Sequence, residues 1–186
     1  MEFLGQLWLP IVVSAVLVFI ASSLVHMVFK WHNSDYHGFS NEEDVRKVVR
    51  AANPSPGLYI VPYCPDHKEL KKPEMMQKFV DGPIAFITVR QAGALSMGPQ
   101  LSQWFVFTLI VAAAAAYLAS RTLTGTPSSG QVLRVVGATS FLAYAGGSFI
   151  NGIWMGKPWG SVAKETLDAL IYSALTGGTF AYFWPR

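Results

Sequence analysis

Four long stretches of this chain carry no charge. Residues 7–29, 101–120, 135–156 and 169–185 contain no Asp, Glu, Lys or Arg. About 20 apolar residues, each rising about 1.5 Å, match a hydrocarbon core about 30 Å thick, so each stretch has the length of a membrane-spanning helix. The pattern predicts a mainly α fold. It is a four-helix transmembrane bundle, with spans near residues 7–30, 103–120, 134–156 and 161–183 and a small α+β cytoplasmic subdomain between the first and second spans. The chain divides accordingly into residues 1–30, 31–100 and 101–186. The first stretch outruns the apolar core of a signal peptide and lacks a basic start. With Lys30 and Trp31 behind it like an interfacial anchor, it reads as a retained helix.

Within the predicted spans, small residues recur at fourfold spacing, which places them on one helix face. Ala112 and Ala116 belong to an unbroken alanine run in the second span. Ser148, Gly152 and Gly156 form a stripe in the third, and Ala169, Ser173, Gly177 and Ala181 form one in the fourth. Small side chains let backbones approach closely, the main attraction left when lipid is as apolar as leucine. These stripes predict a tight bundle or a seam between copies. Three polar residues interrupt the spans, His26, Asn151 and Asp168, and they mark a candidate intramembrane polar site. Lys164 lies four residues before Asp168, the spacing of a helical ion pair.

The connection of about seventy residues between the first two spans is too long to be a simple link. Ser40 and Glu43 have the spacing of a capping box and open a short amphipathic helix over residues 41–52, stopped by Pro54 and Pro56. Strand-like runs follow at residues 57–63 and 84–90, with a helical turn or two at 73–79, which predicts a two-stranded ribbon with helices.

Charge adds an orientation. Of 14 Lys and Arg residues, all but Arg121, Arg134 and Arg186 fall in the central loop or beside the last turn, so the positive-inside rule predicts a cytoplasmic loop with both termini periplasmic. A net charge of +3 with no basic face excludes nucleic-acid binding, and a single cysteine excludes an internal disulfide. The predicted partners are the lipid bilayer and another membrane protein or a second copy.

No cofactor is predicted from motifs, and phosphate-binding loops, zinc-protease pairs and nucleophile elbows are absent. The most suggestive chemistry is Cys64 with His67, followed by Met75 and Met76, a donor set that suits a soft or borderline metal. A Cys–Pro step could also ligate haem iron. The competing reading is a proline-held turn with Cys64 as a small packed residue.

Pro62, Cys64, Pro65, Asp66, His67, Gly82, Pro83, Met97 and Gly98, together with the tail from Gly156, Lys157, Pro158 and Trp159 to Trp184 and Pro185, resemble an uncharacterised family of small bacterial membrane proteins. The resemblance implies a bacterial inner-membrane location and carries no activity. Three functions fit the sequence. The leading one is a non-enzymatic accessory or assembly subunit that docks a partner through its cytoplasmic loop. The others are a redox protein using Cys64 and His67, and a small transporter or channel subunit.

Overall fold

The computed structural model describes residues 2–94 and 96–185, which form two compact units. The first unit, residues 1–36 and 96–186, holds four long helices. They are α1 (Glu2–Ser23), α4 (Gly98–Thr122), α5 (Ser129–Trp154) and α6 (Trp159–Phe183). The second unit, residues 37–95, holds α2 (Glu42–Ala51), β1 (Gly57–Val61), α3 (Pro73–Asp81) and β2 (Ala85–Val89).

Three helices, not the expected four, are long and apolar enough to cross a membrane: Leu4–Phe29, Gly98–Thr122 and Ser129–Trp154. The fourth, α6, is too polar for that description. Lys164, Glu165 and Asp168 occupy its first half, and Ser, Thr, Gly and Tyr fill much of the rest. Its polar side is turned inward, with Ser161, Asp168, Ser173, Thr176 and Thr179 all buried against neighbours. α6 lies between α1 and α5, and α4 closes the ring by packing on both α1 and α5.

The helices are longer than the charge-free stretches that announced them. α5 starts at Ser129 rather than near 134 because Arg134 sits inside the helix, its Nε donating to the Gly130 carbonyl at 3.0 Å. A charge interrupts an apolar run without interrupting a backbone. Ser128 and Gln131 form the capping box that starts α5. The box expected at Ser40 does not form. Asn41 is the N-cap of α2, with no side-chain hydrogen bond, and three acidic residues in the first turn favour that end electrostatically.

Polar and apolar groups in the bundle are arranged as in a protein surrounded by hydrocarbon. Leu142, Ile153 and Ile110 face outward, while Ser14, Thr108, Ser140 and Thr176 are fully buried. Each buried hydroxyl donates to a carbonyl three or four residues back in its own helix, at 2.7 to 3.1 Å. Contiguous apolar faces of this kind would drive association in water.

The two ends of the bundle differ. Leu7, Ile11, Ala112, Ala115, Ala116, Ala119, Val132, Val136 and Phe180 make a dry core near the chain termini. The alanines of the predicted run thus form one wall of that core, and Ala181 packs against it. Ala169, Ser173 and Gly177 are buried along α6, where Gly177 approaches the α5 backbone most closely. Gly152 packs against Val162 and Trp159, and Ser148 is half-buried. Gly156 departs from the stripe: α5 has ended at Trp154, and Gly156 turns the chain with φ of +68°.

In the second unit β1 and β2 pair antiparallel, with Gly57 opposite Val89 and Val61 opposite Ala85. Both strands are shorter than their sequence runs, because Pro62 and Pro83 bound them and cannot donate to the ladder. Among its described residues none is buried.

The closest helix contact gives a direct test. A Cβ at Gly177 would lie 3.0 Å from Leu133 Cδ1 and 3.1 Å from the Leu133 carbonyl oxygen, whereas one at Gly178 meets nothing within 4 Å. Gly177→Val is expected to cost about 1–3 kcal/mol by overpacking, and Gly178→Ala to leave stability level or raised. Thermal unfolding in detergent, followed by circular dichroism, separates the two.

Candidate functional site

The polar end of the bundle is built where α1 changes pitch. After Ser23 the helix widens into a π turn, Leu24–Phe29, and Lys30 then adopts a left-handed conformation with φ of 54°. A short 3-10 turn, Trp31–Asp35, folds back. π turns are rare and concentrate at functional sites. Here the change of pitch brings the His26 and His32 rings edge to face, with centroids 4.8 Å apart. The segment 31–35 therefore belongs with the helices and not with the loop that follows.

α6 supplies the opposing wall. Ser161, Lys164, Glu165 and Asp168 fall at spacings of three, four and seven, one face of its first turns. Both nitrogens of His32 are engaged: Nδ1 lies 2.8 Å from Asp35 Oδ2, and Nε2 lies 2.8 Å from Asp168 Oδ2. Lys164 does not take the expected partner Asp168. Its ammonium donates to Asp35 Oδ1 at 2.7 Å, to Ser34 Oγ at 2.8 Å and to the Trp31 carbonyl at 3.0 Å. The 3-10 turn offers three acceptors together and the i,i+4 carboxylate offers one. Lys157 and Glu165 form a second ion pair beside this network.

The electrostatics follow from these contacts. The Lys164 ammonium, with His32 beside it, holds the Asp35 carboxyl at about 2, below its ordinary 3.8. Asp35 is thus a fixed negative charge. Asp35 on the Nδ1 side of the His32 ring orients it so that Nε2 points at Asp168 Oδ2. The Asp168 side chain is only 6% exposed, and its Oδ1 has no hydrogen-bond partner. The Tyr172 hydroxyl one turn further along is also buried and unpartnered.

These groups line a cavity of about 850 Å³. Trp104, Phe107, Tyr144 and Tyr172 give it an aromatic wall, with centroid separations of 5.5 to 6.1 Å among neighbouring rings. Ser22 accepts a hydrogen bond from Trp104 Nε1 at 2.8 Å and fixes the indole. Small residues of α5, including Gly147 and Ser148, leave the space open. A volume of this size admits a small molecule as well as water.

Of the residues singled out in the sequence, His26 and Asp168 meet in this site, and Asn151 lines the same cavity. The Asn151 backbone carbonyl accepts from Met155 and Lys157 and closes α5. Cys64, His67, Met75 and Met76 lie in the other unit. Cys64 Sγ donates to the Asp66 carbonyl at 3.3 Å, His67 and Met76 are exposed, and Met75 is half-buried. Among the described residues, the one group of three or more His, Cys, Asp and Glu able to close on a metal ion is His26, His32 and Asp168. His32 and Asp35 were not legible as site residues. The available signal was a second histidine six residues after His26, just beyond the apolar run.

No family model, curated protein or solved structure matches this chain.

Asp35 yields a pH test with a defined sign. Its carboxyl is depressed on folding, so its contribution to stability is complete above 3.8 and is lost as pH falls toward about 2. From this source, thermal stability stays level from about pH 7 to 5 and falls between about pH 4 and 2. Lys164→Met lowers stability at neutral pH and flattens the acid fall, as melting curves across pH will report.

Proposed function

We propose that this protein is an accessory or assembly subunit of a bacterial inner-membrane complex that docks a protein partner through residues 37–95. One observation carries the reading: that unit has a ribbon and two helices but no buried residue among those described. Leu58, Tyr63 and Val80 are each at least 70% exposed, and Ile84 and Phe86 are exposed beside them. A two-stranded ribbon without a covered face is marginal in water, so a cover is what this unit lacks. Residues 37–95 contain eight Lys and Arg against seven Asp and Glu, a balance that gives little pull toward anionic lipid and suits a protein surface. The partner is another membrane protein or a second copy of this chain.

The proposed topology puts the loop in the cytoplasm and both termini in the periplasm. The charge distribution supports it. The packing of α1 on α6, which brings Leu7 and Phe180 into one core, supports placing both termini on one side.

Two measurements test these statements. A photo-crosslinking residue at position 58 or 80 of the full-length protein in its native membrane is expected to give one discrete protein adduct, lost when Ile84 and Phe86 are changed to Glu. Adducts to lipid alone would overturn the docking reading. Cys64 is expected to react with a membrane-impermeant maleimide in inside-out vesicles and to be protected in intact spheroplasts.

A further inference from the structure

We propose that His26, His32 and Asp168 are the protein ligands of a divalent first-row metal ion, held with one coordination position open to the aromatic cavity. The inference is independent of the docking reading and rests on the other unit of the chain.

Four observations converge on it. One nitrogen from each histidine and one Asp168 oxygen lie within 4.8 Å of one another. Two imidazoles and a carboxylate form a borderline nitrogen and oxygen donor set, which suits ions of the zinc and iron(II) class. It contains no thiolate or thioether for Cu(I), and too much nitrogen for Mg²⁺ or Ca²⁺.

The supporting shell has the form that metal-bound histidines use. Asp35 takes the Nδ1 side of His32, and Lys164 in turn holds Asp35, so the imidazole is oriented with Nε2 directed at Asp168. A carboxylate behind the ligating ring fixes its tautomer and raises its basicity.

Asp168 also has an unused oxygen. A carboxylate kept 6% exposed with one oxygen unpartnered is costly unless something in the site takes it. A cation between Asp168 and the two rings gives that oxygen a partner and offsets the carboxylate charge. Two adjustments are needed. Ligands about 2.1 Å from a tetrahedral ion stand about 3.4 Å apart, so the 2.8 Å contact between His32 Nε2 and Asp168 Oδ2 opens slightly and the 4.8 Å span closes by a swing of one ring. His26 is the ring free to do so, being exposed on the π turn, whereas His32 is held at both nitrogens. The fourth position faces the cavity, where water or a small ligand completes the shell, the arrangement of an open site.

The test uses the full-length protein in mild detergent, purified without a polyhistidine tag, stripped with chelator and titrated with Co²⁺. The expected result is one equivalent bound per chain, with visible d–d absorption that Zn²⁺ abolishes by displacement. Asp168→Asn and His26→Asn are expected to lose the band. Asp35→Asn is expected to keep it with affinity weakened about 10–100-fold. Circular dichroism checks that each variant remains helical, and His26→Asn, on an exposed turn, guards against a folding defect at the buried site. The double variant Cys64→Ser, His67→Gln is expected to bind as the parent does. Failure of the parent to bind one equivalent overturns the proposal. So does a band that survives in both Asp168→Asn and His26→Asn, or one lost only in the Cys64 and His67 variant.

Discussion

The fold depends on how four helices can hold together when their outer faces are largely apolar and three of them are long and apolar enough to cross a membrane. In hydrocarbon, burying leucine gains little, so cohesion there must come from close backbone approach and from internally satisfied hydrogen bonds. Both are present. Gly177 brings α6 against α5, Trp104 of α4 donates to Ser22 of α1, and the buried hydroxyls of Ser14, Thr108, Ser140 and Thr176 each close on a carbonyl of their own helix, which leaves those groups satisfied where the helices meet. The alanine wall of α4 lets α1 and α5 pack close in the same way. Apart from a few such as Leu7, Ile11 and Phe180, large apolar side chains including Leu142, Ile110 and Ile153 are left to the outside.

That constraint also explains why the charged network sits where it does. A carboxylate inside a bundle of this kind needs partners from the protein, and the end where α1 turns back is where they can be supplied. His32 reaches Asp168 across 136 positions of sequence, and Lys164 reaches Asp35 across 129. These contacts tie the segment after the first helix to the last helix. They also hold Asp168 between an ion-paired rim and an aromatic wall, so one residue belongs both to the ties between segments and to the lining of the cavity.

Much of the architecture was legible in the sequence, because a missing charge over twenty residues is a coarse and robust signal. The ribbon and both short helices of the second unit were legible for a similar reason: prolines and glycines punctuate them closely. What was not legible came from interactions that local pattern does not encode. The polarity of α6 is explained only by the neighbours that cover it. His26, Asn151 and Asp168 were singled out in the sequence, but His32 and Asp35 escaped because the two histidines straddle a π turn and a left-handed residue, where helical spacing rules fail, and because Lys164 prefers a distant carboxylate to the one a turn away. The Cys64 stretch drew attention by its residue types, and the cluster of two histidines and an aspartate that the fold gathers lies in the other unit.

The polarity of α6 bears on how the chain is made. Among the described residues, Lys164 and Asp168 are hydrogen-bonded to Trp31, Ser34, His32 and Asp35, all synthesised long before α6. Until those earlier segments are in position, these two charges lack those partners, whereas Glu165 has Lys157 close by in sequence. The arrival of α6 is then an act of assembly, in contrast to simple partition into lipid. The last helix fits a vacancy that the first helix has already shaped.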